Sequence, residues 1–260
     1  MRVVFAVFML LCSLAAYADD YARLYQAAGW PQQQAHFSEA LKAAQLRYQS
    51  SLPPAVFQAL VENSNRRFEA SAMEQRAQAA LRMQLADSQP ALQFFVSPLG
   101  RKVVAAEVAA SSREQLARYA NGLPSVAAEA SRRQLVQRLA RSLPASEAGA
   151  EVSLALAGVA ADSLSSMVPG LFGGAQAQML LQSQRERLQQ QIDGNIGNTL
   201  LFIYRELSDT ELEAFAVFAE SPAGQAYYQA ALSALRAALA AGQGGEDIRS
   251  AQPEVTAGVH

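Results

Sequence analysis

The chain has 260 residues, 51% of them hydrophobic and 17% charged, a balance that supports a folded core and excludes disorder as the default. Its 21 basic and 23 acidic residues leave a formal charge of −2, which argues against nucleic acid as a partner. A single cysteine, Cys12, excludes an internal disulfide, so stability has to come from burial.

The N-terminus reads as an export signal over 1–18. Arg2 supplies a basic start, Val3 to Leu14 an apolar run, and Ala16-Tyr17-Ala18 the small-x-small pattern of a cleavage site after Ala18. The run is shorter than the roughly 20 residues of a membrane span, and Asp19-Asp20 follow it in place of a basic stop-transfer patch. The expectation is a periplasmic protein with no transmembrane span after cleavage. Leu11 precedes Cys12 where a lipid-attachment site has a small residue, so Cys12 is signal-peptide filler. Cleavage removes Arg2, leaving 20 basic against 23 acidic residues, and takes away the only thiolate. Of the basic residues 19 are arginine, with only Lys42 and Lys102 as lysines. Arg66, Arg76 and Arg187 stand among glutamates and glutamines as solvated helical faces do.

From Asp19 onward, alanine, leucine, glutamine, arginine and glutamate dominate, and apolar residues recur at three and four. The fold class expected is all-α, with about ten helices in two tandem, diverged five-helix modules forming a helical bundle. Breaks fall at Gly29-Trp30-Pro31, Leu52-Pro53-Pro54, Ser97-Pro98, Gly122-Leu123-Pro124, Leu143-Pro144, Val168-Pro169-Gly170 and Ser221-Pro222. Tyr21, Tyr25, Trp30 and Phe37, near the new N-terminus, are expected in the core.

The breaks recur at similar spacing. Pro31 and Pro144 lie 113 apart, Pro53 and Pro169 116, Phe57 and Phe172 115, and Ser97 and Ser221 124. This divides the chain into a first module over 19–122, a second over 123–241, clearest at 200–235, and a polar, Gly-containing tail over 242–260 expected to be disordered. Each module ends in a helical pair joined at Ser-Pro-x-Gly. In the second, Ser208 and Glu211 form a capping box, Ser221 caps the last helix, Pro222 takes its first turn, and the helix stops near Gly242. In the first, Ser97, Pro98 and Gly100 occupy the places of Ser221, Pro222 and Gly224, without a capping serine before the pair.

The segments Phe94-Phe95-Val96-Ser97-Pro98-Leu99-Gly100-Arg101-Lys102, Leu207-Ser208-Asp209-Thr210-Glu211-Leu212 and Phe218-Ala219-Glu220-Ser221-Pro222-Ala223-Gly224-Gln225 resemble the signature of DUF2059, a family of exported bacterial proteins known only as a domain of unknown function. The resemblance covers about the last third of each copy. It implies a small helical domain and export from a Gram-negative-type cell, with no established activity.

Candidate chemistry is sparse. A serine at a helix start sits beside amides that bind anions, yet Ser97, Ser208 and Ser221 fit capping and Gly100 and Gly224 fit a close helix corner, so these residues read as structural. A serine nucleophile needs a base, and the histidines are only His36 and His260. Glu220-Ser221 superficially resembles pieces of lytic transglycosylases, in which one glutamate protonates a glycosidic oxygen, but the two motifs overlap here and Val96 stands at the equivalent position. No catalytic residue, metal ligand set or cofactor is expected: Asp193-Gly194-Asn195 lacks the rest of a calcium loop, and Gly170 with Gly173-Gly174 lacks a phosphate-loop lysine. Gly194 and Gly197 mark either a close helix crossing or a kink. Ser163 to Gln184 carries no charge, which fits a partly buried helix-turn-helix or an apolar lining. The leading expectation is a non-enzymatic binding module with an envelope protein as partner. A lipid or apolar-ligand carrier, and a peptidoglycan-cleaving enzyme using Glu220, are the alternatives.

Overall fold

A proline, a glycine or a capping side chain accounts for most of the places where the backbone turns. The computed structural model describes residues 20–159 and 175–240, and among them there is no strand. A helical stretch over 20–27 ends at Gly29, whose φ of 77° favours glycine. Twelve helices follow among the described residues: α1 (Trp30–Leu46), α2 (Pro54–Arg67), α3 (Ala70–Gln84), α4 (Gln89–Val96), α5 (Pro98–Ala110), α6 (Arg113–Arg118), α7 (Ala130–Ser142), α8 (Ala145–Ala157), α9 (Ala175–Asp193), α10 (Ile196–Ile203), α11 (Asp209–Glu220) and α12 (Pro222–Leu239).

The protein is therefore the all-α bundle that composition implied, with more helices than the ten or so counted from proline and glycine. Two of the extra breaks contain neither residue. Between α2 and α3 the Glu69 carboxylate accepts from the Ser71 and Ala72 N–H groups at 3.0 and 2.7 Å, a cap made by a residue type outside the usual short polar set. Ser112 caps the short α6 through the Gln115 N–H. Gly194 lies in the turn between α9 and α10, and a Cβ at Gly197 would meet nothing within 4 Å, so the pair marks a helix break and no close crossing. Residues 1–18, read from sequence as an export signal, the tail 242–260, Pro169, Phe172 and most of 163–184 lie outside the described residues.

Burial concentrates in two adjoining clusters. Leu24, Tyr25, Leu60, Leu81 and Phe95 form one with Ala155, Val159, Tyr227 and Ala234. Val103 forms the other with Val136, Leu139, Leu200, Tyr204, Leu212 and Phe215. Neither is drawn from one half of the chain. Helix α12, last in sequence, packs along α3, α4 and α8, while α5 delivers Val103 to α7, α10 and α11. Phe94, Phe218 and Tyr228 touch both clusters and form the seam between them. At the far end, Tyr25 stacks on Trp30 with centroids 5.5 Å apart and Phe37 meets Phe68 edge-on at 5.2 Å, so the N-terminal aromatics are core contacts. Arg76 closes the end of α12, donating to the carbonyls of Ala237 and Ala238 at 3.1 and 2.8 Å.

Candidate functional site

The two Ser-Pro-x-Gly corners have nearly the same geometry. Ser97 has φ −68° and ψ 161°, Ser221 −67° and 154°, and each hydroxyl oxygen accepts from the glycine N–H three residues on at 3.0 Å. A Cβ on Gly100 would lie 2.0 Å from the Phe94 carbonyl oxygen, and one on Gly224 2.0 Å from that of Phe218. Pro98 and Pro222 open α5 and α12, where no N–H is needed. The serine oxygens are thus committed to capping, and the preceding carbonyls leave no room for a side chain at either glycine.

The second corner is preceded by a complete capping box. The Glu211 N–H donates to Ser208 Oγ at 3.3 Å and the Ser208 N–H to Glu211 Oε2 at 2.9 Å. Lys102, on the first corner's helix, reaches Glu211 Oε1 at 2.5 Å. With the Ser208 hydrogen bonds this holds the Glu211 carboxyl at about 2. Before the first corner Ser88 makes no cap, and Asp87 Oδ1 accepts the Gln89 N–H at 2.9 Å instead.

The corners meet face to face. Phe94 and Phe218, each three residues before its serine, stack with centroids 3.8 Å apart and planes within 4°. Phe215 stacks on Phe94 at 5.9 Å, and Tyr227 packs against Phe95 at 4.7 Å.

Beside this stack lies a polar group that sequence reasoning passed over. Glu107, on α5, points its carboxylate inward, where the Tyr204 hydroxyl donates to Oε1 at 2.7 Å. Burial pushes the Glu107 carboxyl up to about 7, and the Tyr204 hydrogen bond only partly opposes it. Burial and the nearby Glu107 push the Tyr204 and Tyr228 phenols well above the usual tyrosine range, and burial does the same to Tyr227. The Tyr228 hydroxyl is buried with no hydrogen-bond partner. The available signal was Glu107 standing alone in the apolar run from Val103 to Ala110, opposite Ala231 in the second corner.

The other chemical suspects are occupied. Both Glu220 oxygens accept from Arg138, Nε at 2.8 Å and Nη2 at 2.7 Å, while Arg138 Nη1 donates to both oxygens of Glu213. Arg138 holds the Glu220 carboxyl below its ordinary range, the opposite of what a general acid requires. His36 does meet a serine, Nδ1 lying 2.9 Å from Ser111 Oγ, but that hydroxyl donates to the Val108 carbonyl at 3.0 Å. Its one proton is spent, so the imidazole must be the donor and the contact pins α1 to the end of α5. Among the described residues no group of three histidine, cysteine, aspartate or glutamate side chains is placed to hold a metal ion. The described surface has a shallow groove between α7 and α11, lined by Ser131, Gln134, Leu135, Arg138, Asp209, Thr210 and Glu213. No helix among the described residues is long and apolar enough to cross a membrane. Comparison with protein-family models, curated proteins and solved structures finds no match.

Proposed function

We propose that this chain is an exported, non-enzymatic helical protein of the DUF2059 type that binds another protein of the cell envelope. The observation that carries the reading is the fate of the polar groups in the signature. Ser97, Ser208 and Ser221 are caps, and Glu211 and Glu220 are held ionised by Lys102 and Arg138. Residues spent in this way serve the fold, and none of these signature side chains is left free as an acid, base or nucleophile.

The α7–α11 groove is the binding face in this reading. Its walls set arginine, glutamate, aspartate and amide groups around Leu135, so a partner docked there would meet a small apolar patch with a polar rim. The test is crosslinking in living cells with a photoreactive amino acid at Gln134 or Thr210, compared with Gln75 on α3, all three being exposed. A discrete adduct at the two groove positions and not at Gln75 is expected. Equal labelling at all three, or none, overturns the assignment. Fractionation of the same cells checks the periplasmic address and processing after Ala18.

The carrier alternative draws its support from Ser163 to Gln184, most of which lies outside the described residues. Gentle native mass spectrometry returning only the apo mass removes it. For the glycan-cleaving alternative, Glu220→Gln is expected to leave peptidoglycan digestion unchanged.

A further inference from the structure

We propose that Glu107 and the tyrosines around it form a proton-operated latch across the seam of the two cores, closed when the carboxyl is neutral and loosened when it ionises. The placement carries the proposal. Glu107 sits on α5, which feeds the second core, and its hydrogen-bond donor Tyr204 stands at the end of α10 in that same core. Tyr227 and Tyr228 come from α12, which crosses to the first core. Tyr228 also packs edge-on against Phe218, whose ring forms the 3.8 Å stack with Phe94. A charge on Glu107 therefore arises where the two crossing helices and both cores come together.

That charge is poorly compensated. Tyr204 is the one hydrogen-bond donor the structure places on it, and among the described residues no basic side chain forms an ion pair with Glu107. None of the charged groups on the elements packed against α5 forms an ion pair with Glu107, and His36 on α1 meets Ser111 instead. On α11, Asp209 is taken by Arg132, Glu211 by Lys102, and Glu213 and Glu220 by Arg138. On α6, Glu114 is taken by Arg118 and Arg113 is exposed, while α4 and α10 carry no charged residue. A half-buried carboxylate with no ion-pair partner is costly, and water entering the seam relieves that cost. The same water would satisfy the Tyr228 hydroxyl, which lacks a partner in the closed seam. Ionisation of the carboxyl near neutral pH makes opening at this seam respond to modest changes in acidity.

Hydrogen exchange of the full chain between pH 5 and 8, corrected for intrinsic exchange rates, tests the latch. Protection of amides in α5 and α12 is expected to fall by up to about a hundredfold across that range in the wild type and to stay flat in Glu107→Gln. Parallel profiles in the two proteins would overturn the proposal. Should the variant fail to fold, carboxyl-carbon NMR titration of the wild type decides. One glutamate with a midpoint near 7 supports the latch, and all midpoints below about 5 sink it. Tyr204→Phe removes the donor that favours the charged form, so that midpoint should move upward. A midpoint unmoved in Tyr204→Phe would show that the contact does not tune the group, and would overturn the tyrosines' part.

Discussion

A Cβ placed 2.0 Å from a carbonyl oxygen, as alanine would place it at Gly100 or Gly224, cannot be accommodated without opening the helix corner. Gly224→Ala is therefore expected to cost about 3 kcal/mol or more in urea unfolding. Gly197→Ala should do the reverse. It adds a methyl into open space within α10 and removes glycine's backbone entropy, for a gain of about 0.5 kcal/mol. Ser221→Ala loses one cap and should cost about 1 kcal/mol, leaving the corner otherwise intact. These three variants separate glycines required by sterics from those tolerated in helices. Gly100 was legible from its place in Ser-Pro-x-Gly, whereas Gly197 stands in no such motif and its open surroundings are seen only in the fold.

Between elements, several arginines and Lys102 add polar links to the apolar packing. Arg132 ties α7 to the turn before α11 through Asp209 and the carbonyls of Tyr204 and Leu207, and Arg138 forks to Glu213 and Glu220 on α11. Arg138→Ala should lower the thermal midpoint most in dilute buffer and least in molar salt, because these pairs are partly exposed and screened. The capping box adds a pH dependence with a definite sign. Glu211 titrates lower in the folded chain than when exposed, so its contribution is complete above about 4.5 and is lost as pH falls towards about 2. Melting Glu211→Gln and wild type from pH 7 to 2 should show a smaller acid-side loss in the variant. The box itself was legible, since Ser208 and Glu211 are three apart before an apolar run. Its partner Lys102, 109 residues away, was not.

At the scale of the whole molecule, the exchange of α5 and α12 between cores makes the halves depend on each other. A fragment ending at Gly122 lacks Tyr227, Ala230, Ala234 and Ala238 from its core, and one starting at Leu123 lacks Val103. Each alone should show weak, non-cooperative helical circular dichroism, and mixing them should restore a cooperative melt. Half-buried Glu107 acts in the opposite sense to Glu211. Its folded value of about 7 lies above that of an exposed glutamate, so stability is full below about 4.5, falls as pH rises and levels off above 7. The loss is at most about 3 kcal/mol, and Glu107→Gln should remove it. Taken by themselves, the two carboxyls favour the acid side of neutrality.

Helical class, the two Ser-Pro-x-Gly corners and their caps are written in local sequence, because a cap, a first-turn proline and a three-to-four apolar rhythm each act within a few residues. The same locality explains the shortfall in helix number, since Glu69 caps through backbone geometry that its residue type does not advertise. Which core each corner helix enters, the stacking of Phe94 on Phe218, the clamping of Glu220 by Arg138 and the burial of Glu107 were decided only by tertiary packing. Those features join residues between 82 and 124 positions apart in the chain. Residues at such separations carry no mutual pattern in a single sequence, and their energies depend on which side chains exclude water together.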